Sequence, residues 1–274
     1  AISCASGIAS QSALAMTKRL SSYPCADLLG VKISTLSFDD TIHLVADVIA
    51  RADHLALSPS PVYTVMQGYE HEEVRAALNA NIATPDGMPV VWALRLMGHH
   101  VERVYGPDIM QAVCVRSIQE GWRHFFYGGA PDVVEKLIEV LKSQHPNLLV
   151  AGFESPPFRE LTREEDEAIV NRINESRAQI LWVGLGSPKQ DMWMATHRAQ
   201  LNASVLIGVG AAFDFFAGRV RQAPRWMQRS GLEWLYRLMS EPSRLWRRYL
   251  IYNPKFVVCV LMQIAGLIHF DDSR

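Results

Sequence analysis

The feature that most constrains the fold is an alternation, from Val31 onward, of short apolar runs with stretches of helical periodicity. The second half shows it most clearly. Apolar runs at 124–127, 148–151, 179–183 and 205–209 predict strands, and a helix is expected to start at Pro131 after the first of them. Short buried strands that alternate with helices are typical of an α/β fold with a mostly parallel sheet flanked by helices.

Composition narrows the class of protein. The chain has 274 residues, with 27 Lys and Arg against 28 Asp and Glu, and its net charge of -1 does not favour nucleic acid as a partner. Its 49% hydrophobic content is that of a globular protein. The four cysteines are far apart and predict neither a disulfide framework nor a zinc site, which fits a reducing, cytosolic setting.

Charge is segregated toward the C-terminus. Residues 219–248 hold eight Arg against two Glu, a net of +6, so the rest of the chain carries -7. Trp and Tyr side chains interleave with these arginines, and an apolar run at 256–268 follows, whose thirteen residues are too few to cross a bilayer. Two interpretations stay open: a surface for anionic lipid head groups, or an amphipathic helix packed on the core.

These shifts predict three segments. Residues 1–26 are expected to be a disordered leader, because the charges Lys18 and Arg19 follow the apolar part instead of preceding it as in a secretory signal. Residues 27–218 are expected to form an α/β domain. Residues 219–274 are expected to form a helical, basic and aromatic appendage.

Three glycine-containing turns follow predicted strands, at 127–131, 184–190 and 208–211. Such turns let a phosphate approach the backbone and the N-terminus of the next helix, although many serve only as tight turns. Neither Gly-X-Gly completes the dinucleotide fingerprint, since Lys189 and Phe213 occupy the third glycine position. Together, with Lys189 as a cation, the turns favour a phosphate-bearing ligand other than NAD.

Two aspartates are candidates for chemistry. Asp86 lies between a predicted strand and a predicted helix, where it would serve either as a helix N-cap or as a general base for a substrate hydroxyl. Asp214 would cap a turn or bind a nucleobase or ribose. The chain has no Asp-X-Asp, so the sequence predicts no metal clamp, and it indicates no cofactor.

The linked motifs TPDGMPVVW (84–92), ERVYGPD (102–108), FYGG (126–129), GLGSPKQD (184–191), GVGAAFD (208–214), APRW (223–226) and GLEW (231–234) resemble the WecG/TagA/CpsF glycosyltransferases over roughly residues 26–254. The resemblance implies a bacterial, metal-independent, inverting enzyme with a Rossmann-like sheet. Such an enzyme transfers a sugar from a UDP-sugar to a polyprenyl-diphosphate-linked saccharide during assembly of a cell-surface polysaccharide or teichoic acid.

The resemblance also implies roles for individual residues. Asp86 matches the catalytic base, Gln190 a glutamine near the reacting sugars, and Asp214 an aspartate that binds uracil. Phe158 matches an aromatic residue beside the base, with Pro157 in place of a usual glycine. Ser58 and Ser60 stand where the family has Thr and Asn, and Asp191 replaces Glu. The other substrate-binding candidates are Gly128, Gly129, Gly184, Gly186, Lys189, Gly210 and the appendage arginines Arg237, Arg244 and Arg247.

The resemblance therefore implies a catalytic domain at residues 27–218 and an appendage at residues 219–274 that associates with a membrane. We expect a peripheral enzyme on the cytoplasmic face of the bacterial cell membrane. The donor sugar is left open among N-acetylmannosamine, its uronic acid and glucose. Two other functions remain as alternatives: a UDP-sugar-modifying enzyme of the epimerase type, and a membrane-associated nucleotide-binding scaffold without turnover. A homo-oligomer that covers the appendage would have the same composition, so the oligomeric state stays open.

Overall fold

The computed structural model describes residues 23–270, which form an eight-stranded sheet. The strand order is β1-β2-β4-β3-β8-β7-β5-β6, with β1 and β2 antiparallel and every other neighbouring pair parallel. The predicted α/β fold with a mostly parallel sheet is thereby confirmed. The strands are β1 (Cys25–Leu28), β2 (Val31–Ser34), β3 (Leu55–Ser60), β4 (Ile82–Pro85), β5 (Arg123–Gly128), β6 (Leu149–Glu154), β7 (Ile180–Gly184) and β8 (Val205–Gly208).

Helices connect the parallel strands and begin at residues suited to that position. A capping box of Thr162 and Glu165 starts one helix, and Ser37 with Asp40 forms a second. The helices are α1 (Phe38–Ala50), α2 (Val62–Glu70), α3 (Glu72–Ala80), α4 (Met88–Leu96), α5 (Gly106–Glu120), α6 (Pro131–Gln144), α7 (Arg163–Glu175), α8 (Lys189–His197), α9 (Ala212–Phe216), α10 (Arg225–Arg229), α11 (Glu233–Ser240), α12 (Pro242–Trp246) and α13 (Tyr252–Ile264).

Both faces of the sheet are covered. Successive side chains of a strand point to opposite faces, so Phe126 and Trp182 enter one buried cluster while Phe125 and Leu181 enter another. Helices α1, α5 and α6 cover the first face, and α7 and α8 cover the second. The continuous apolar character of β7 and β8 follows from this double burial.

The structure adds elements that the sequence pattern does not show. β1 starts at Cys25, within the segment assigned to a disordered leader, and pairs with β2 through a tight turn at Gly30. Residues 1–22, which make up most of that segment, lie outside the described residues. Helix α2 begins directly after Pro61, where the local Pro and Ser content indicates only a turn.

The helices after residue 218 pack against the sheet domain. Phe256, Cys259 and Val260 of α13 join the buried cluster formed by β1, β2, α2 and α4, and the Gln263 side chain hydrogen-bonds to Asp27. The predicted helical appendage is therefore present. Its other face is apolar and exposed, at Val257, Val258, Leu261, Ile264 and Leu267. Within residues 23–270, no helix is long and apolar enough to span a bilayer.

Candidate active site

A cleft of about 860 Å³ lies beyond the carboxyl ends of β3, β4, β5, β7 and β8. This is the edge at which open parallel sheets bind ligands. The strand-to-helix turns of the sheet line this cleft, and so do residues of α11, of α12 and of the segment 247–253. The cleft therefore lies between the sheet domain and the appendage.

The three predicted glycine turns meet in this cleft, and their glycines do two different things. A Cβ on Gly128 would lie 2.6 Å from the backbone of Gly184, and one on Gly184 would lie 2.6 Å from the Phe213 ring. These glycines permit close packing. Gly186 and Gly210 have φ of +77° and +50°, a left-handed conformation that glycine adopts readily. Gly129, Gly184, Gly186 and Gly210 line the cleft, whereas Gly128 lies behind it.

Asp86 follows β4 directly and faces the cleft, with 16% of its side chain exposed. The N-cap of α4 is Gly87, and among the described residues no side chain caps that helix, so Asp86 is not the cap that its position allowed. Burial raises the pKa of Asp86 to about 6, against the opposing effect of Arg103, whose Nη2 lies 3.4 Å from the carboxylate. A carboxylate with this pKa suits a general base near neutral pH.

Arg103 connects Asp86 to the appendage, a link that the sequence analysis missed. Its Nη2 donates to Glu233 at 2.6 Å, and its Nε donates to the backbone oxygen of Asp86. The guanidinium lies 3.8 Å from the centre of the Tyr105 ring, and the Tyr105 hydroxyl donates to Glu233 at 2.9 Å. Arg103, Tyr105 and Glu233 all fall within the motifs at 102–108 and 231–234, which were the available signal.

Gln190 is buried at the start of α8 and joins two of the turns. Its Oε1 accepts a hydrogen bond from the backbone N–H of Gly210 at 3.1 Å. The neighbouring Lys189 is exposed at the cleft. Gln190 therefore fixes the spacing between the turns at 184–190 and 208–211, and its predicted proximity to the reacting sugars stays a prediction.

Asp191 lies behind Gln190, completely buried. Its Oδ2 accepts a hydrogen bond of 2.5 Å from Ser187, which lines the cleft and also hydrogen-bonds to Thr64. Burial raises the pKa of Asp191 to about 6, although the hydrogen bond from Ser187 favours the charged form. The Asp191 carboxylate thus supports the cleft wall from the inside.

Ser58 and Ser60 lie outside the lining of the cleft, and their contact with substrate stays a prediction. Both are fully buried within β3, which ends at Ser60. The Ser60 hydroxyl donates to the Ser58 carbonyl at 2.7 Å, and the Ser58 hydroxyl accepts from Asn81 at 3.1 Å. Their hydroxyls therefore stabilise the protein behind the cleft, and Pro59 and Pro61 reach its surface instead.

The appendage brings a cluster of positive charge to the cleft, which consists of Arg237, Arg244, Arg247 and Arg248. Glu241 lies 2.6 Å from Arg244 and 4.0 Å from Arg237. Burial and the two neighbouring arginines lower the pKa of Arg248, and within residues 23–270 the buried Nε of Arg237 has no hydrogen-bond partner. Four guanidinium groups in one cluster, of which only Arg237 and Arg244 lie close to Glu241, favour binding of a multiply charged anion such as a diphosphate.

Two further candidates line the same cleft. Asp214 lies in the first turn of α9, where burial raises the pKa of its carboxyl and nearby Arg219 and Arg244 oppose that shift. Phe158 lies on the loop after β6 with 92% of its surface exposed. Contact of either with uracil stays a prediction. The described part of the chain contains no group of three or more His, Cys, Asp or Glu side chains placed to hold a metal ion.

Comparison with known proteins identifies the family. A family model described as "Glycosyl transferase WecG/TagA/CpsF family" matches residues 26–268. A curated relative from Bacillus spizizenii is 32% identical over 205 residues, which cover 74% of this chain and 76% of the relative. That relative is named N-acetylglucosaminyldiphosphoundecaprenol N-acetyl-beta-D-mannosaminyltransferase. The chain therefore belongs to the WecG/TagA/CpsF family of glycosyltransferases.

Proposed function

We propose that this glycosyltransferase transfers a sugar from a UDP-sugar to a polyprenyl-diphosphate-linked saccharide, with inversion at the anomeric carbon. The observation that carries the proposal is the position of the Asp86 carboxylate in a cleft that four arginines of the appendage also line. The name of the Bacillus spizizenii relative supports a lipid-diphosphate acceptor and, among the three expected donor sugars, N-acetylmannosamine.

The proposed reaction is a single displacement. Asp86 accepts the proton of the acceptor hydroxyl while that oxygen attacks the anomeric carbon from the face opposite UDP. The bond from this carbon to the diphosphate oxygen breaks, and UDP leaves with the electron pair. Arg237, Arg244 and Arg247 together with the N-terminus of α8 stabilise the negative charge on the leaving group.

The acceptor's lipid gives the exposed apolar face of α13 a role in this proposal. That face, continued by Leu250 and Ile251, lies on the same segment as the cleft arginines. Apolar side chains next to arginines suit the boundary between lipid tails and anionic head groups. We place this face on the cytoplasmic surface of the bacterial membrane, where it presents the cleft to the acceptor.

The experiment that tests the proposal is a donor and acceptor assay. Binding of a panel of UDP-sugars is measured by calorimetry, and the preferred donor is then incubated with N-acetylglucosamine on a short-chain polyprenyl diphosphate. Mass spectrometry is expected to show an acceptor heavier by one sugar residue, with release of UDP. Isomerised UDP-sugar in the absence of acceptor would favour the epimerase alternative, and no UDP release with any acceptor would favour the scaffold.

A further inference from the structure

In the cleft, one guanidinium group lies near two carboxylates, at different distances from each. Arg103 Nη2 lies 2.6 Å from Glu233 Oε2 and 3.4 Å from Asp86 Oδ1. The three side chains are only 15–16% exposed, so solvent screens their interactions weakly. Arg103 therefore forms its ion pair mainly with Glu233, and its interaction with Asp86 is weaker.

The two carboxylates come from different parts of the chain. Asp86 follows β4 of the sheet domain, whereas Glu233 is the first residue of α11 in the appendage. The charged and titratable groups that face Asp86 are Arg103 and Tyr105, from the segment before α5, and Glu233 and Arg237 from α11. Correct packing of α11 thus determines which carboxylate Arg103 pairs with.

We propose that Glu233 is a positioning residue that draws Arg103 away from Asp86, so that the packed appendage leaves the Asp86 carboxylate free to accept a proton. The inference rests on the proposed function, in which Asp86 is the base. It assigns the appendage a part in proton transfer in addition to its arginines and its apolar face.

The physical consequence is a predicted direction for a change in pKa. Without the negative charge of Glu233, Arg103 is free to pair closely with Asp86, and a close opposite charge lowers a carboxyl pKa by roughly one to three units. The direct repulsion between the two carboxylates is also lost, which lowers the pKa of Asp86 in the same sense. Asp86 would then be a weaker base that stays ionised to lower pH.

The test is Glu233→Gln in the full chain, since glutamine keeps the size of the side chain and removes its charge. The pH dependence of kcat/KM is measured for transfer to the short-chain lipid acceptor, together with UDP affinity by calorimetry. We expect the acid limb, near pH 6 in the unaltered enzyme, to move down by about one unit or more. We expect kcat on the plateau to fall about 3- to 10-fold, with UDP affinity within about twofold of the original.

Matched variants separate this role from a structural one. Glu70→Gln removes a carboxylate of α2 that pairs with Lys255 of the appendage and lies outside the cleft, so it should leave the acid limb in place. Because Asp191 titrates in the same range, the comparison is repeated in an Asp191→Asn background. An acid limb in Glu233→Gln at the pH of the unaltered enzyme would overturn the inference, whatever happens to the rate.

A folding defect in Glu233→Gln would not end the test. Glu233→Asp retains the charge at a shorter reach, and we expect a smaller shift of the acid limb in the same direction; no shift would contradict the inference. Failure of the proposed function has a different signature. If Asp86→Asn transferred sugar at the full rate, Asp86 would not be the base and the proposed function would fail. If Asp86→Asn were inactive and the acid limb of Glu233→Gln stayed at the original pH, only the role of Glu233 would be rejected.

Discussion

Replacing Asp191 with Asn tests the electrostatics of the cleft wall through stability. The Asp191 carboxylate is fully buried, and within the described residues its Oδ1 has no hydrogen-bond partner. Its other oxygen accepts the hydrogen bond from Ser187. Ionising this group inside the protein is therefore unfavourable, which is why burial raises its pKa to about 6.

The size and sign of the effect follow from that pKa. An aspartate of ordinary pKa near 3.9 that titrates about two units higher when folded carries a free energy of ~3 kcal/mol. Because the folded pKa is the higher one, this contribution to stability is fully present below about pH 4 and is lost as pH rises through about 6. Asparagine does not titrate, so the variant does not lose this contribution to stability as pH rises.

We therefore expect the free energy of unfolding of Asp191→Asn, relative to that of the unaltered protein, to increase by about 2 to 3 kcal/mol between about pH 4 and pH 8, so that the variant becomes relatively more stable. Urea unfolding at both pH values measures the difference, and Asp39→Asn on the exposed first turn of α1 controls for loss of a charge. A difference that stays constant, or that shrinks toward higher pH, would refute the burial argument.

Two further predictions concern the appendage. Gly231→Ala should lower the free energy of unfolding by at least about 1 kcal/mol more than Gly266→Ala does, and it should also reduce transfer. Both glycines have φ near +70°, but of the two only Gly231 would bring a Cβ to 2.3 Å from the Trp92 ring. Equal losses of stability in a denaturant titration would contradict the clash. Leu261→Glu, on the exposed face of α13, should abolish sedimentation with anionic vesicles while Leu149→Glu on β6 leaves it intact, and unchanged binding by Leu261→Glu would reject α13 as the membrane-facing surface.

Local sequence patterns were sufficient to predict most of the strands of the sheet. The strands β5, β7 and β8 were predicted correctly from their apolar runs, because both faces of these strands are covered and glycines mark where the strands end. The three predicted turns follow parallel strands, whose carboxyl ends share an edge of the sheet, and residues of all three turns line the cleft. The motif at 84–92 then pointed to Asp86, and the structure puts that side chain in the cleft.

Long-range packing explains what the sequence pattern did not show. The pairing of Arg103 with Glu233 joins residues 130 positions apart, and it depends on where α11 packs. The burial of Ser58 and Ser60 depends on β3 continuing between β4 and β8, despite Pro59 within the strand. The β1–β2 hairpin is too short to produce a clear alternation, and its stability comes from packing against α2 and α13.

The most direct test of the central claim is Asp86→Asn, with transfer and UDP affinity measured on the same preparation. If the Asp86 carboxylate takes the proton of the acceptor hydroxyl, kcat should fall by at least about 100-fold, while the dissociation constant for UDP, measured by calorimetry, stays within about twofold. Equal losses of turnover and of UDP binding, or transfer at the original rate, would contradict the assignment of Asp86 as the base.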